Sequence, residues 1–262
     1  MVRTFSLLKN YHFFQSLIMI FSTPDQIQRI ASILYSYARL PFVSNNIPGA
    51  IMESVLATVR DAEVLDTYDF IDVLNKDTKI GWQVKSTQAS TPVTWKRAKI
   101  TNSSTLINDS LSSPEACQIL GDAIIKFCND HAQHSLDVYN LEEIGYSRLI
   151  LHKNNKATYF EKKLCDKNSP LIFKSEDYYW EWSIPKQTDK KEQLPSFKGI
   201  RKLDNKKVWA WHGLGENQLH FTAEKEWWLP AGHINRIDFD MPADIQKFTL
   251  EQILEMLENG SN

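Results

Sequence analysis

Four polar residues in the first third of the chain have the types and spacing to work on a phosphate: Glu53, Asp72, Gln83 and Lys85. Gln83 and Lys85 flank Val84 in an apolar run at 80–84 that continues into Lys85, Ser86 and Thr87. In a strand, residues two apart share a face, so both side chains point the same way. A second apolar run at 70–74 contains Asp72. Asn75, Lys76, Asp77 and Thr78 between the runs are turn chemistry, so a hairpin is expected that brings Asp72 near Gln83 and Lys85. Cutting a phosphodiester requires a cation to polarise the phosphate and activate water. Mg²⁺ takes oxygen ligands, commonly one or two carboxylates with waters and substrate phosphate. Asp72 offers such an oxygen, and the Val84 carbonyl offers another. Gln83 could complete the metal shell or orient the water, and Lys85 could face the charge that builds on the phosphate. A pattern this short also occurs on the wet face of ordinary hairpins, so its weight comes from the elements around it.

Those elements read clearly. Thr23-Pro24-Asp25 is a helix start, with Thr23 as cap and proline in the first turn. Ile27, Ile30, Ala31, Leu34, Tyr35 and Ala38 follow at helical spacing, and the helix should end near Leu40-Pro41. A second helix is expected from 48 to about 61, burying Ile51, Val55, Leu56 and Val59. Glu53 lies off that stripe, where it could aim a carboxylate at Asp72. After Thr87 and Pro92 comes a basic segment, Trp95-Lys96-Arg97-Ala98-Lys99, suited to neutralising phosphates. Residues 101–113 read as a loop. Ser113-Pro114 starts a long helix, near whose end His131 and His134 stand three apart without an evident third metal ligand.

The second half turns to strand, at 147–153 (which could extend the central sheet), 157–164, 171–173 and 178–182. A charged loop follows at 185–195, then a cationic cluster of Lys198, Arg201, Lys202, Lys206 and Lys207. A hairpin pairs 208–212 with 217–221 around Gly213 and Gly215. It makes Arg201, Lys206, His212, Asn217 and Gln218 candidates for reading DNA, because these residue types reach phosphates and base edges. β character continues at 227–230 and 234–239, and a helix closes the chain at 249–257.

Composition sets the outer bounds. The chain has 262 residues, 42% hydrophobic and 24% charged, with eight Trp and thirteen Phe, as expected of a globular domain with ample core. The net charge of −2 gives no global basic footprint, so any contact with nucleic acid must be a local patch. Cys117, Cys128 and Cys165 have no zinc spacing, and an odd count without a framework fits a reducing cytoplasm. The apolar run at 13–21 is short and contains Gln15 and Ser16. It reads as a core element rather than a signal peptide or membrane span, so no membrane partner is expected. Neither a repeat nor a low-complexity linker divides the chain. The expectation is one α/β (α+β) domain over 1–262, with a mixed central sheet flanked by helices, a catalytic core at about 48–152 and a β-rich recognition region at about 170–240.

A helix glutamate (Glu53), a strand aspartate (Asp72) and Gln83-Val84-Lys85 on the next strand resemble the PD-(D/E)XK nuclease superfamily over residues 48–152. Ile71 stands where many members have proline. Gln83 stands at the acidic position, as in the Mrr-type variant. The segment from Trp82 to Lys99 resembles type II restriction endonucleases, including the HaeII-like group. The resemblance implies sequence-specific, Mg²⁺-dependent hydrolysis of double-stranded DNA, with Mn²⁺ able to substitute. It implies Asp72, Glu53 and the Val84 carbonyl at one metal, with Gln83 and Lys85 completing the catalytic set. Thr87, Lys96, Arg97 and Lys99 would hold the backbone, and a homodimer is compatible with it. Two other readings stay open. One is a modification-dependent or repair nuclease with an aromatic cage from Trp180, Trp182, Trp227 and Trp228. The other is a DNA-binding module whose catalytic site has decayed, which Gln83 motivates.

Overall fold

The computed structural model describes residues 20–44, 46–66, 69–183, 185 and 194–259. Most of the apolar run at 13–21 and of the charged loop at 185–195 lies outside them. In chain order the first elements are α1 (Pro24–Ala38), α2 (Gly49–Arg60), β1 (Glu63–Val64), β2 (Val73–Asn75), β3 (Ile80–Gln88), β4 (Val93–Arg97), α3 (Ser103–Ser110), α4 (Pro114–Val138) and β5 (Glu143–Leu151). Then follow β6 (Lys156–Asp166), β7 (Tyr178–Trp182), β8 (Phe197–Arg201), β9 (Lys206–Trp211), β10 (Gln218–Phe221), β11 (Arg236–Asp240) and α5 (Leu250–Asn259). No helix among the described residues is long and apolar enough to cross a membrane.

The expected α+β class, with a mixed sheet, helices and a β-rich second half, is the one observed. The strands form two sheets, and the chain divides into two compact units that cut across the expected 48–152 and 170–240 regions. The first unit takes the described residues up to Thr91, then Tyr139–Leu164 and those from Leu229 onward. The second takes Pro92–Val138 and the described residues of Cys165–Trp228.

In the first unit the strand order is β1-β2-β3-β5-β6-β11. The centre is the parallel pair β3 and β5, in register from Ile80↔Glu143 to Gln88↔Leu151, with β2 antiparallel on the other edge of β3. A parallel neighbour needs a long crossover, and residues 92–138 of the second unit supply it. Helix α1 begins with a full capping box: Thr23 Oγ1 accepts from Gln26 N, and the Gln26 side chain accepts from Thr23 N. Helix α2 ends on Asp61 in the left-handed region, φ 51°. The two helices bury Ile27, Ile30, Leu34, Met52, Val55 and Leu56 in one cluster with Trp82, Val84, Leu149 and Leu151. Trp82 fits because its register partner is Gly145, where a Cβ would stand 2.5 Å from the indole Cδ1. Burying about 200 Å² of indole at about 25 cal/mol per Å² contributes on the order of 5 kcal/mol before conformational entropy. Buried Glu161 of β6 fastens the chain ahead of α1, accepting from Ser22 N (2.5 Å), Ser22 Oγ (2.6 Å) and the Tyr159 hydroxyl (2.6 Å).

The second unit is an antiparallel sheet, β4-β10-β9-β8-β7. One face carries an aromatic core. Trp95 meets Phe173, Phe221 and Trp227 edge-on at ring-centroid distances of 5.2, 6.0 and 5.8 Å, and Trp209 lies 4.5 Å from Phe221. Each such pair adds about 0.5–1.5 kcal/mol beyond area burial.

Several expected elements differ. The strand expected at 70–74 is reduced to Val73–Asn75, because Phe70 and Ile71 are buried by packing without joining the ladder. The loop expected at 101–113 contains α3, whose Ser/Thr/Asn-rich sequence is held helical by packing along α4. Residues 171–173 form no strand, and Phe173 enters the aromatic core instead. At 227–230 the expected β character is absent: Thr222–Trp227 is a 3₁₀ turn. Strand β11 returns to the first sheet, beside β6.

Gly121 of α4 lies so close to β7 that a Cβ would stand 2.0 Å from Trp180 Cδ1. Alanine favours a helix over glycine by about 1 kcal/mol, yet overpacking costs about 1–3 kcal/mol. Gly121→Ala is therefore expected to lower the urea midpoint, read by tryptophan fluorescence. A variant as stable as the parent would show that the packing there is slack.

Candidate functional site

Strand β2 is shorter than its neighbour, and the site is built where it stops. The last register pair is Val73↔Trp82, and Asp72 N donates to Trp82 O at 2.8 Å. One step further along β3, Val84 N has no backbone partner from β2. It donates to Asp72 Oδ2 at 2.7 Å. The side chain of Asp72 thus takes the place of the missing strand. The N–H and C=O of one strand residue project to the same edge, so the Val84 carbonyl opens beside Asp72. Ser86 Oγ, on the Val84 face of β3, donates to Ile47 O at 2.6 Å and holds the segment that leads into α2.

Helix α2 contributes Glu53. Side chains tilt toward the N-terminus of their helix, and the Glu53 carboxylate lies back over the first turn, 3.3 Å from where a Cβ on Gly49 would sit. Its carboxyl is held above the usual carboxylate range, first by burial and second by the charge of Asp72, with Lys85 acting in the opposite direction. Glu53, Asp72 and Lys85 therefore share one electrostatic neighbourhood, as their order along the chain suggested.

Gln83 and Lys85 lie on the same face of β3, as alternation requires, opposite the Trp82 and Val84 face that packs on α1 and α2. Gln83 is 1% exposed, and its Oε1 has no hydrogen-bond partner among the described residues. A buried polar atom left unpaired costs about 1–3 kcal/mol, a cost that Gln83 shares with Ser135 and the indole of Trp180. Its register neighbour is Tyr146, and that of Lys85 is Arg148.

Arg148 is a residue that motif reasoning passed over. It is fully buried, and it donates from Nη2 to Thr87 Oγ1 at 2.8 Å and from Nη1 to the Leu149 carbonyl. The signal was a cation inside the apolar run at 147–153, where burial demands a partner. The hydroxyl of Thr87, expected to hold DNA, is engaged with this guanidinium.

The donor set suits a hard cation. Two carboxylates and a carbonyl supply only oxygen, and a positive ion would relieve the repulsion between Glu53 and Asp72. Among the described residues no group of three or more His, Cys, Asp or Glu gathers around a common point. With glutamine at the third position, the residues present fit one metal ion.

The other candidates for holding DNA belong to the second unit. Arg97 and Lys99 are exposed and Lys96 is half-buried, whereas Trp95 between the basic residues is core. Arg201 is committed to Asp204 and Glu226 through bonds of 2.6–2.9 Å, and Lys206 pairs with Asp204 at 3.2 Å. Asn217 is a turn residue with φ 57°; its carbonyl accepts from Ala98 N and its N–H donates to His212 O. Gln218 Nε2 donates to Glu216 at 2.7 Å. His212 is exposed, its ring 5.3 Å from that of His220. The four tryptophans that the alternative reading offered for a cage have separate surroundings. Trp180 stacks on Phe197, Trp227 lies in the aromatic core, Trp182 donates to Ser110 Oγ, and Trp228 donates to Glu224. His131 is likewise turned inward, with Nδ1 2.9 Å from Phe127 O.

No family model, curated protein or solved structure matches this chain.

Two stability measurements probe the site without reference to activity. Gln83→Leu removes the unpaired amide and should raise the unfolding free energy by about 1 kcal/mol; a loss instead would show that the amide is satisfied. The raised carboxyl of Glu53 means that ionising it opposes folding as pH rises. Glu53→Gln should therefore melt higher than the parent at neutral pH, with the difference closing as pH falls through the carboxylate range. A difference that persists in acid would assign the effect to packing.

Proposed function

We propose that this protein is a Mg²⁺-dependent endonuclease that hydrolyses phosphodiester bonds of double-stranded DNA at a specific sequence, as type II restriction enzymes do. The observation that carries the reading is the shared electrostatic neighbourhood of Glu53, Asp72 and Lys85, with Asp72 held on Val84 N of β3 and the unpaired amide oxygen of Gln83 on the Lys85 face. The PD-(D/E)XK-like order of these residues supports it further.

Asp72, Glu53 and the Val84 carbonyl would hold the metal. When bound there, Mg²⁺ neutralises phosphate charge and makes water more acidic. Lys85 stabilises the negative charge that grows on the non-bridging oxygens as water attacks phosphorus in line. Its flexible stem also lets its ammonium hold that water. Gln83 Oε1 accepts a hydrogen bond from the water and orients it. The P–O bond to the leaving 3′-oxygen breaks, giving a 5′-phosphate and a 3′-hydroxyl. Asp72 is kept in place throughout by Val84 N, so the ligand geometry does not depend on substrate.

Plasmid DNA incubated with Mg²⁺ and the full chain is expected to yield discrete fragments. Lys85→Ala and Asp72→Ala should slow cleavage at least about 100-fold, the scale of removing one electrostatic stabiliser of a transition state. DNA binding should survive in both. Mg²⁺ should also raise the melting temperature of the parent, because it binds only the folded state, and should do so far less in Asp72→Asn. Wild-type cutting rates in both alanine variants would overturn the residue assignment. Binding without any cutting by the parent would overturn the enzyme.

A further inference from the structure

The second unit's sheet has one face filled with tryptophan and another that is positively charged. Register places Lys198 of β8, Ala210 of β9, His220 of β10 and Thr94 of β4 in one row across four strands. In the next row His212 follows β9 beside Gln218 and Arg97, since His212 N donates to Gln218 O and Gln218 pairs with Arg97. On the opposite side Lys207 pairs with Ile200. Paired residues share a face, so Arg97, Lys198, Lys207, His212 and His220 surround the small, buried Ala210. None of the five is buried.

Among the described residues no carboxylate offsets Lys207, His212 or His220. Partial burial first, then the charge of Lys198, lowers the ammonium of Lys207. Burial and then Lys207 lower His212, and burial, His212 and Lys207 lower His220. Each group is pushed toward its uncharged form by its neighbours, and no carboxylate counts among the causes. Two acids lie close in sequence or register. Glu181 pairs in register with Lys198, and Glu216 is taken up by Gln218. The contrast with Arg201 and Lys206, both paired to acids, is direct.

We infer that this outer face of β4, β10, β9 and β8 is a docking surface for the phosphate backbone of duplex DNA. Four strands spaced about 4.8 Å apart spread the cations over roughly 14 Å, more than one phosphate can reach but within the span of a polyanion with regularly repeated charge. A single strand would need stacking platforms. The tryptophans of these strands pack on the other face, and Tyr179 of β7, in register with Ile200, is the aromatic left on this one. Phosphates replace the missing counter-charge and fix the imidazoles as cations. The choice of DNA over another polyanion rests on the nuclease reading; the charged surface does not.

The test is equilibrium binding of the full chain to a fluorescent duplex in EDTA, so that no cleavage is needed. Lys198→Glu combined with Lys207→Glu is expected to weaken binding at least about tenfold and to reduce the log-affinity against log-salt slope by nearly two, about 0.9 for each phosphate no longer neutralised. Lys198→Gln with Lys207→Gln gives the same loss of slope without charge reversal, should the first pair disturb folding. Binding by the parent should tighten as pH falls below about 7, because both imidazoles are held below the usual histidine range in the free protein and phosphate favours their cations. His212→Gln with His220→Gln should flatten that dependence. Unchanged affinity and slope in variants that keep the parent melting temperature would overturn the surface. So would tighter binding to a single-stranded oligonucleotide than to the duplex. Because EDTA silences cleavage, this binding is read apart from the nuclease site: a parent that binds the duplex but never cuts with Mg²⁺ keeps the surface and loses the nuclease, and a parent that cuts while the lysine variants bind unchanged does the reverse.

Discussion

The hydrogen bond from Val84 N to Asp72 Oδ2 is the interaction on which the site depends. A strand that outruns its neighbour leaves backbone donors that must be satisfied. Here an aspartate at the head of the shorter strand satisfies the first of them with its side chain. That choice has two consequences. It locks one carboxylate oxygen, and with it the orientation of the other. It also leaves the carbonyl of the same valine on an edge that no strand covers. An oxygen-lined corner arises from a mismatch in strand length, without a dedicated loop.

Around that corner the charges are arranged to be completed rather than already balanced. Glu53 and Asp72 repel each other, and Lys85 offsets part of that repulsion. The amide of Gln83 is buried with its oxygen unpaired. Arg148, one strand away, is satisfied instead by Thr87 and a backbone carbonyl, which makes it part of the scaffold. The second unit repeats this contrast on a larger scale. Arg201 and Lys206 have acidic partners, while the cations around Ala210 press on one another. Structural charges in this protein are paired locally. Those around Ala210 lie together, and none of them is buried away from solvent.

Much of the local structure was legible in the chain. The cap at Thr23, the prolines at Pro24 and Pro114, the apolar stripes of α1 and α2, and the glycine-turn hairpin all carry signals confined to a few neighbouring residues. Helix α3 and the shortened β2 were not legible. Ser103–Ser110 has a loop-like composition that packing along α4 overrides, and Phe70 and Ile71 look like strand residues although packing alone buries them. The role of the basic segment was also only half visible. Its lysines and arginine reach solvent, but Trp95 belongs to the core, and an irregularity in the β4–β10 register beside it lets Arg97 turn to the other face.

By itself, then, the sequence determined which residues could do chemistry and that Gln83 and Lys85 share a face, because a strand's period of two is a local property. Only the tertiary structure decided that β2 begins one residue after Asp72 and so frees its side chain for Val84, that Glu53 reaches the same field from a helix, and that Thr87 serves Arg148. It alone decided that the cations of the second half divide into those answered by acids and those gathered on one open face. These outcomes depend on strand length and register between segments far apart in the chain, and burial and pairing set them only once the whole sheet has formed.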